Sequence, residues 1–285
     1  ERVEIEVHKV WNDNNNEAQK RPDKVTLVLT GDGQEYKHEL TIENVNEENA
    51  NQWDYTFTNL PKYDRLGNEI TYVLSEEETG SIFYTEENAQ IVQGTMTATN
   101  IFEVPTETVN VPVTKVWNDN GNVAGKRPSS VTMVLTANST TPDQIPEEYK
   151  TKEKILTNEN VNQENTNEWK YTFSNLPKYD NYGNQITYTV SEKAIEGNEA
   201  IFYTAQNTKI EGDMANGYKV TNTFAIPEES KTSISVPVTK VWQDTEKQKD
   251  KRPTEITLVL TANSKTPDQI PEEAKTVEQK ITEKI

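Results

Sequence analysis

Val113-Thr114-Lys115-Val116-Trp117-Asn118-Asp119 is the stretch on which the fold turns, because versions of it open three successive segments of the chain. The earlier version reads Val7-His8-Lys9-Val10-Trp11-Asn12-Asp13, and the later one Val238-Thr239-Lys240-Val241-Trp242-Gln243-Asp244. Extended backbone sends alternate side chains to opposite faces, so Val, Lys and Trp share one face of such a strand and the polar or small residues take the other. Each copy therefore sets a lysine between two core residues. Lysine is almost never fully buried without a partner, so a repeated inward lysine asks for a repeated inward partner.

The self-similarity runs through the whole chain. Lys9 and Lys115 are 115 − 9 = 106 residues apart, and Lys115 and Lys240 are 240 − 115 = 125 apart. Loops account for the difference: Leu29-Thr30-Gly31-Asp32-Gly33 in the first copy gives way to the longer stretch from Leu135 to Asp143 in the second. The first copy then offers a β-branched strand at Val25–Leu29, an alternating strand at Trp53–Phe57, the Pro/Asx turn Asn59-Leu60-Pro61-Lys62-Tyr63-Asp64, a strand over Ile70–Glu76 and a closing strand Met96–Phe102. The second copy repeats each at Val131–Leu135, Trp169–Phe173, Asn175–Asp180, Ile186–Glu192 and Lys219–Phe224. The third carries its lysine strand, Arg252-Pro253 and Ile256–Leu260, and lacks the later strands. Linkers follow Pro105 and span Ile226-Pro227-Glu228-Glu229. No segment keeps a helical period over ten residues, so the reading is all-β, with domains at 1–104 and 105–228 and a partial third at 229–285 holding N-terminal strands only.

Two further polar residues recur on core faces. Glu76 and Glu192 follow Tyr72 and Leu74, and Tyr188 and Val190, at two-residue spacing; Asn100 lies between Ala98 and Phe102, and Asn222 between Val220 and Phe224. One Lys, one Glu and one Asn per complete copy thus point inward from three strands. In an apolar site burial lowers the lysine pKa and raises that of the glutamate until a neutral amine and a carboxylic acid coexist. The amine is then a nucleophile, and the acid can polarise the Asn carbonyl and pass a proton to the departing nitrogen. The products are a Lys–Asn isopeptide bond and ammonia.

The ordered cassette Lys-Val-Trp-Asn-Asp, Arg-Pro, Trp-x-Tyr-x-Phe, Asn-Leu-Pro-Lys-Tyr-Asp, Val-Ser-Glu and Thr-Asn-Thr-Phe resembles the B-type repeat of the Cna collagen adhesin family of Gram-positive surface adhesins and pilins. The resemblance implies tandem seven-stranded inverse-immunoglobulin, prealbumin-like β-sandwiches, each with an isopeptide bond between first and last strands and a catalytic Glu. Carried over by position, it gives Lys9–Asn100 with Glu76 and Lys115–Asn222 with Glu192; Lys240 matches the lysine without partners. The first copy departs at Val73-Leu74, where Thr-Val is usual, and at Ile101, where Thr223 stands in the second; the inward trio is intact.

Blander readings stand beside these. A lysine can snorkel from a strand end, Glu76 opens an acidic run with Glu77 and Glu78, and Asn is common at strand ends; the matched recurrence favours the reactive trio. Asp13–Glu17 and Asn118–Asn122 have calcium-friendly oxygens but lack the order of a calcium loop, so no metal or other cofactor is expected. The pairs Glu47-Glu48, Glu86-Glu87 and Glu147-Glu148 are adjacent on polar stretches and read as solvated surface, not as glycosidase carboxylates. His8 and His38 are too few for a triad.

Composition bounds the partners. The net charge of −18 repels phosphate backbones and anionic bilayers, and no apolar run approaches the roughly 20 residues of a membrane span. There is no cysteine, so no disulfide or thiolate site. A mean hydropathy of −0.87 is thin for a globular chain, yet 5 Trp and 12 Tyr recur at fixed repeat positions, as in small packed cores. Glu1 opens no signal peptide, which reads as a mature or excised piece. The functional expectation is a non-enzymatic stalk segment of a secreted, wall-anchored adhesin. Its partners would be neighbouring repeats, an adhesive head, and peptidoglycan through a C-terminal anchor outside this sequence. The alternative is a module that itself binds a host matrix protein or glycan through Tyr63, Tyr179 and the acidic loops.

Overall fold

The computed structural model describes residues 1–227 and 234–282; the Glu228-Glu229 half of the second linker, and with it the 228/229 boundary, lies outside them. Two compact units emerge, Glu1–Lys231 and Thr232–Ile285.

The first unit opens with β1 (Arg2–Asn12), in which Val7, Lys9 and Trp11 alternate inward. β2 (Lys24–Gly31), β3 (Gln34–Thr41), β4 (Gln52–Pro61), β5 (Val73–Glu76), β6 (Ala89–Val92) and β7 (Thr97–Ile101) complete the repeat. They form a four-stranded sheet, β4-β1-β7-β6, and a three-stranded sheet, β3-β2-β5. One apolar cluster joins the sheets: Val7, Trp11, Trp53, Phe57 and Ala98 from the first meet Leu27, Leu29, Leu40 and Leu74 from the second. This is the expected seven-stranded β-sandwich. β1 is central. It pairs antiparallel with β4, Lys9 opposite Trp53, and parallel with β7, Lys9 opposite Ala98 and Trp11 opposite Asn100. Parallel first and last strands bring the chain in at one end of the sandwich and out at the other.

The strand expected at Ile70–Glu76 is laddered only over Val73–Glu76. β2 turns away at Asp32 and Gly33, both at positive φ, so Ile70–Tyr72 are not laddered to β2, and the Ile70 N–H donates instead to the Lys62 carbonyl at 2.9 Å. In the second repeat the facing strand is longer, and the ladder begins at Thr187 opposite Asn138.

That repeat comprises β8 (Thr108–Asn118), β9 (Ser130–Asn138), β10 (Thr151–Thr157), β11 (Val161–Asn162), β12 (Asn165–Pro177), β13 (Thr187–Glu192), β14 (Thr208–Asp213) and β15 (Gly217–Thr223). Its sheets run β11-β12-β8-β15-β14 and β10-β9-β13. The eighth strand, beyond the seven expected, is the two-residue β11 added at the β12 edge. The long loop after β9 carries the four-residue helix α1 (Glu147–Lys150) and drives Ile145 into the core.

In the second unit β16 (Glu255–Thr261) pairs with β17 (Thr276–Thr282), Ile256 opposite Ile281, and α2 (Glu272–Lys275) precedes β17. The lysine strand expected at Val238–Asp244 is not laddered. Its equivalents in the first unit lie between two strands, and residues 234–282 contain a counterpart of neither. Among the described residues no helix is long and apolar enough to cross a membrane.

Candidate functional site

Strand alternation on β1 leaves Lys9 fully buried, and on β8 it does the same to Lys115; both have 0% exposure. Glu76 and Glu192 end β5 and β13, and Asn100 and Asn222 lie on β7 and β15. Both expected trios are assembled. Lys9 Nζ stands 3.5 Å from Glu76 Oε2, and Asn100 Nδ2 donates to Glu76 Oε1 at 2.7 Å. In the second repeat the distances are 3.5 Å for Lys115–Glu192 and 2.6 Å for Asn222–Glu192.

Polar satisfaction is incomplete. Among the described residues Glu76 Oε2, Asn100 Oδ1, Glu192 Oε2 and Asn222 Oδ1 are buried without a hydrogen-bond partner. Each amine reaches a backbone carbonyl, Val10 O and Val116 O, both at 3.2 Å. It also lies over the indole two residues on, 4.1 Å from the Trp11 ring and 4.2 Å from Trp117. Burial drives the lysines down from 10.5 to about 8, against the attraction of the glutamates. Burial likewise pushes both glutamates above their ordinary value, opposed by the lysine charge and the Asn hydrogen bond. Both shifts run in the direction of a neutral amine beside a neutral acid. Turning either Asn amide by half a rotation exchanges Nδ2 and Oδ1 and presents a carbonyl oxygen to the protonated carboxyl.

A neighbouring group escaped the sequence reading, which used Arg-Pro only as one motif of the cassette and weighed Asp13 only as a calcium-friendly oxygen. Asp13 accepts from Arg21 Nε at 2.5 Å and Nη2 at 2.6 Å, and from the Tyr84 hydroxyl at 2.9 Å. Arg21 lies over the face of Trp11. Asp119, Arg127, Tyr203 and Trp117 repeat the arrangement. Burial pushes the Asp13 carboxyl up, but the hydrogen bonds from Arg21 and Tyr84 outweigh it and hold it below the usual range. The signal was an Asp and an Arg eight residues apart in all three copies: 13 and 21, 119 and 127, 244 and 252. This clamp fixes the indole that walls the lysine. Tyr84→Phe removes one hydrogen bond to a buried carboxylate and should cost about 1–2 kcal/mol, seen as a lower urea midpoint with unchanged slope; an unchanged midpoint would show that the hydroxyl contributes nothing.

Lys240 lies 4.6 Å over Trp242, and Asp244 accepts from Arg252. The lysine side of the arrangement thus recurs in the second unit, without a matching Glu or Asn among its described residues. His8 is not idle: its Nδ1 lies 2.8 Å from Asp54 Oδ1 on the outer face. Tyr179, weighed as part of a ligand surface, meets Phe83 of the first repeat edge-on at 6.2 Å.

Comparison with known proteins follows the same three segments. The family model described as Cna protein B-type domain matches residues 5–101, 111–223 and 236–284. A Staphylococcus aureus protein described as collagen adhesin is 33% identical over 259 residues, 91% of this chain; the chain spans 18% of that protein's length. A single B repeat unit (B1) of the collagen-binding surface protein of S. aureus is 30% identical, over 79% of this chain and 100% of that one, with a TM-score of 0.30. Two such units (B1B2) are 25% identical, over 100% of this chain and 69% of theirs, also with a TM-score of 0.30.

Proposed function

The chain belongs to the family of Cna protein B-type domains, and from that premise we propose that it is a stalk segment of a bacterial surface adhesin whose complete repeats each close an intramolecular Lys–Asn isopeptide bond. The repeats take domain boundaries near 104 and 228. The observation that carries the reading is the buried trio, with lysine on the first strand, asparagine on the last and a glutamate touching both. Lys9 Nζ attacks Asn100 Cγ, Glu76 donates to the carbonyl oxygen and then relays a proton to Nδ2, and ammonia leaves; Lys115, Asn222 and Glu192 do the same. Each trio turns over once, so the role is structural and not enzymatic.

Geometry supports a mechanical purpose. Tension enters along β1 or β8 and leaves along β7 or β15, the strands that the bond would join. Force then runs across the bond and the residues between are shielded. The test is extension of a single tethered chain. Unlinked, the 100 − 9 = 91 residues from Lys9 to Asn100 would add roughly 300 Å of contour on unfolding. The native chain should show no such step for either complete repeat, and Glu76→Ala should release one. A step of that length in the native chain would refute the reading.

A further inference from the structure

The carboxylate is not what holds the lysine amine when it reacts. A nucleophilic amine is neutral and its glutamate partner is protonated, so at that moment the attraction of the ion pair is gone. In both trios the pair already stands open at 3.5 Å. The contacts that remain are a carbonyl of the lysine's own strand and the indole face, 4.1 Å away at Trp11 and 4.2 Å at Trp117. Where the indole sits therefore decides where the amine sits.

Each indole is fixed in turn by a guanidinium. Arg21 lies 5.5 Å over Trp11 and donates to four acceptors: both Asp13 carboxylate oxygens, the Ala50 carbonyl and the Asn51 side chain. Asp13 directly follows β1, and Ala50 and Asn51 lead into β4, so the fork ties together two strands that pair. Tyr84 closes the assembly, with its hydroxyl on Asp13 and its ring edge-on to Trp11 at 5.2 Å. Arg127 makes the same four bonds, to Asp119 twice, the Thr166 carbonyl and the Asn167 side chain, and Tyr203 meets Trp117 edge-on at 5.3 Å.

The stack does not depend on the trio. In the second unit Lys240 and Arg252 lie 4.6 Å and 5.6 Å over Trp242, and Arg252 donates to Asp244 at 2.8 Å and 2.6 Å, on a segment that carries no ladder. An Asp and an Arg eight residues apart thus seat a lysine on its indole with local sequence alone.

We infer that Arg21 with Asp13, and Arg127 with Asp119, are positioning residues for cross-linking: each clamp pins the indole that seats the lysine amine before its glutamate and asparagine. The inference rests on the isopeptide reading above and adds the residues that set its rate. The clamp also places two opposite charges near the amine. Burial lowers Lys9 and Glu76 raises it; after these, Asp13 raises it and Arg21 lowers it. Asp119 and Arg127 act on Lys115 in the same senses. A clamp that only stabilised the sandwich would respond alike to the loss of either member.

The full chain, recovered as inclusion bodies and dissolved in urea at its full sequence mass, is diluted into buffers of graded pH and quenched at intervals. Peptide masses then read the loss of ammonia in each repeat. Arg21→Lys keeps the cation but not the planar fork. It should slow repeat 1 by about tenfold or more, leave the pH at which the rate rises in place, and leave repeat 2 at the native rate. Arg21→Gln should move that rise in repeat 1 to higher pH and Asp13→Asn to lower pH, because a raised lysine pKa delays the free amine. Where a charge-removing variant fails to fold, Arg21→Lys decides alone. A native rate in Arg21→Lys, or shifts in the other two variants that are not opposite, would overturn the inference while bond formation stands. A native chain that folds and loses no ammonia from either repeat would instead remove the isopeptide reading beneath it.

Discussion

The intact protein will weigh less than its sequence by two molecules of ammonia, and Glu76→Gln and Glu192→Gln will each restore one. The substitution keeps the shape of the buried side chain and a hydrogen-bonding partner for Asn100 or Asn222, yet removes the acid that relays the proton. Lys240 contributes no third loss, because no Glu or Asn stands opposite it among the described residues of its unit. The cost should be large. Each bond would close a loop of about a hundred residues, 100 − 9 = 91 in the first repeat and 222 − 115 = 107 in the second. On the chain-entropy account used for disulfides such a loop contributes about 4–5 kcal/mol. For sandwiches of this size that is a fall in Tm of roughly 20–35 °C in the repeat that carries the substitution. Mass spectrometry and calorimetry on the same samples read both effects. A native chain that is folded and has its full sequence mass would leave the trios as buried ion pairs without a bond, and would move the ligand-binding module to the front.

Much of the fold was legible because strands write their burial with a period of two. Val7, Lys9 and Trp11 alternate inward, and so do Leu74 and Glu76, and Ala98 and Asn100. A polar residue that keeps the inward phase is a visible anomaly, and three such anomalies per repeat mark the trio in the sequence itself. The Arg21–Asp13–Tyr84 clamp carried no such mark. It draws on a strand end, a loop and a distant turn, and only the closed sandwich brings Tyr84 to Asp13. The inter-repeat contact was hidden for a related reason. Phe83 and Tyr179 are partly covered aromatics on loops, and nothing in either segment tells one repeat's loop that it faces another's. Strand lengths failed where they depend on the partner: Ile70–Tyr72 has the alternation of a strand, but β2 ends before it can pair. Val238–Asp244 has the sequence of β8 and no ladder, since a strand needs its neighbours as well as its pattern.

Removing the glutamate should also expose what it does for the lysine, and the sign of that effect is set by the lysine alone. With Glu76 in place, burial already holds Lys9 near 8 in the folded chain, against 10.5 when unfolded. In Glu76→Ala the ammonium loses its only carboxylate neighbour in the trio, so the folded value falls further. Between the folded value and 10.5 the unfolded chain binds more protons than the folded one, and stability must therefore rise with pH across that window. Below it the full cost of the buried charge is present. A gap of 10.5 − 8 = 2.5 units corresponds to about 3 kcal/mol, and is a lower bound once the carboxylate has gone. Lys9→Met fills nearly the same space and does not titrate. The double variant Glu76→Ala/Lys9→Met should thus be more stable than Glu76→Ala by about 3 kcal/mol or more at pH 7, with the difference shrinking toward zero as the pH approaches 10.5. Urea melts of both proteins at a series of pH values measure the difference directly. Other lysines and tyrosines titrate alike in the two proteins and cancel, and repeat 2 provides an unaltered transition in each. A difference that does not change with pH would mean that Lys9 escapes to water when the sandwich lacks its bond, and that the desolvated amine on which the cross-linking chemistry depends is not a property of the folded chain.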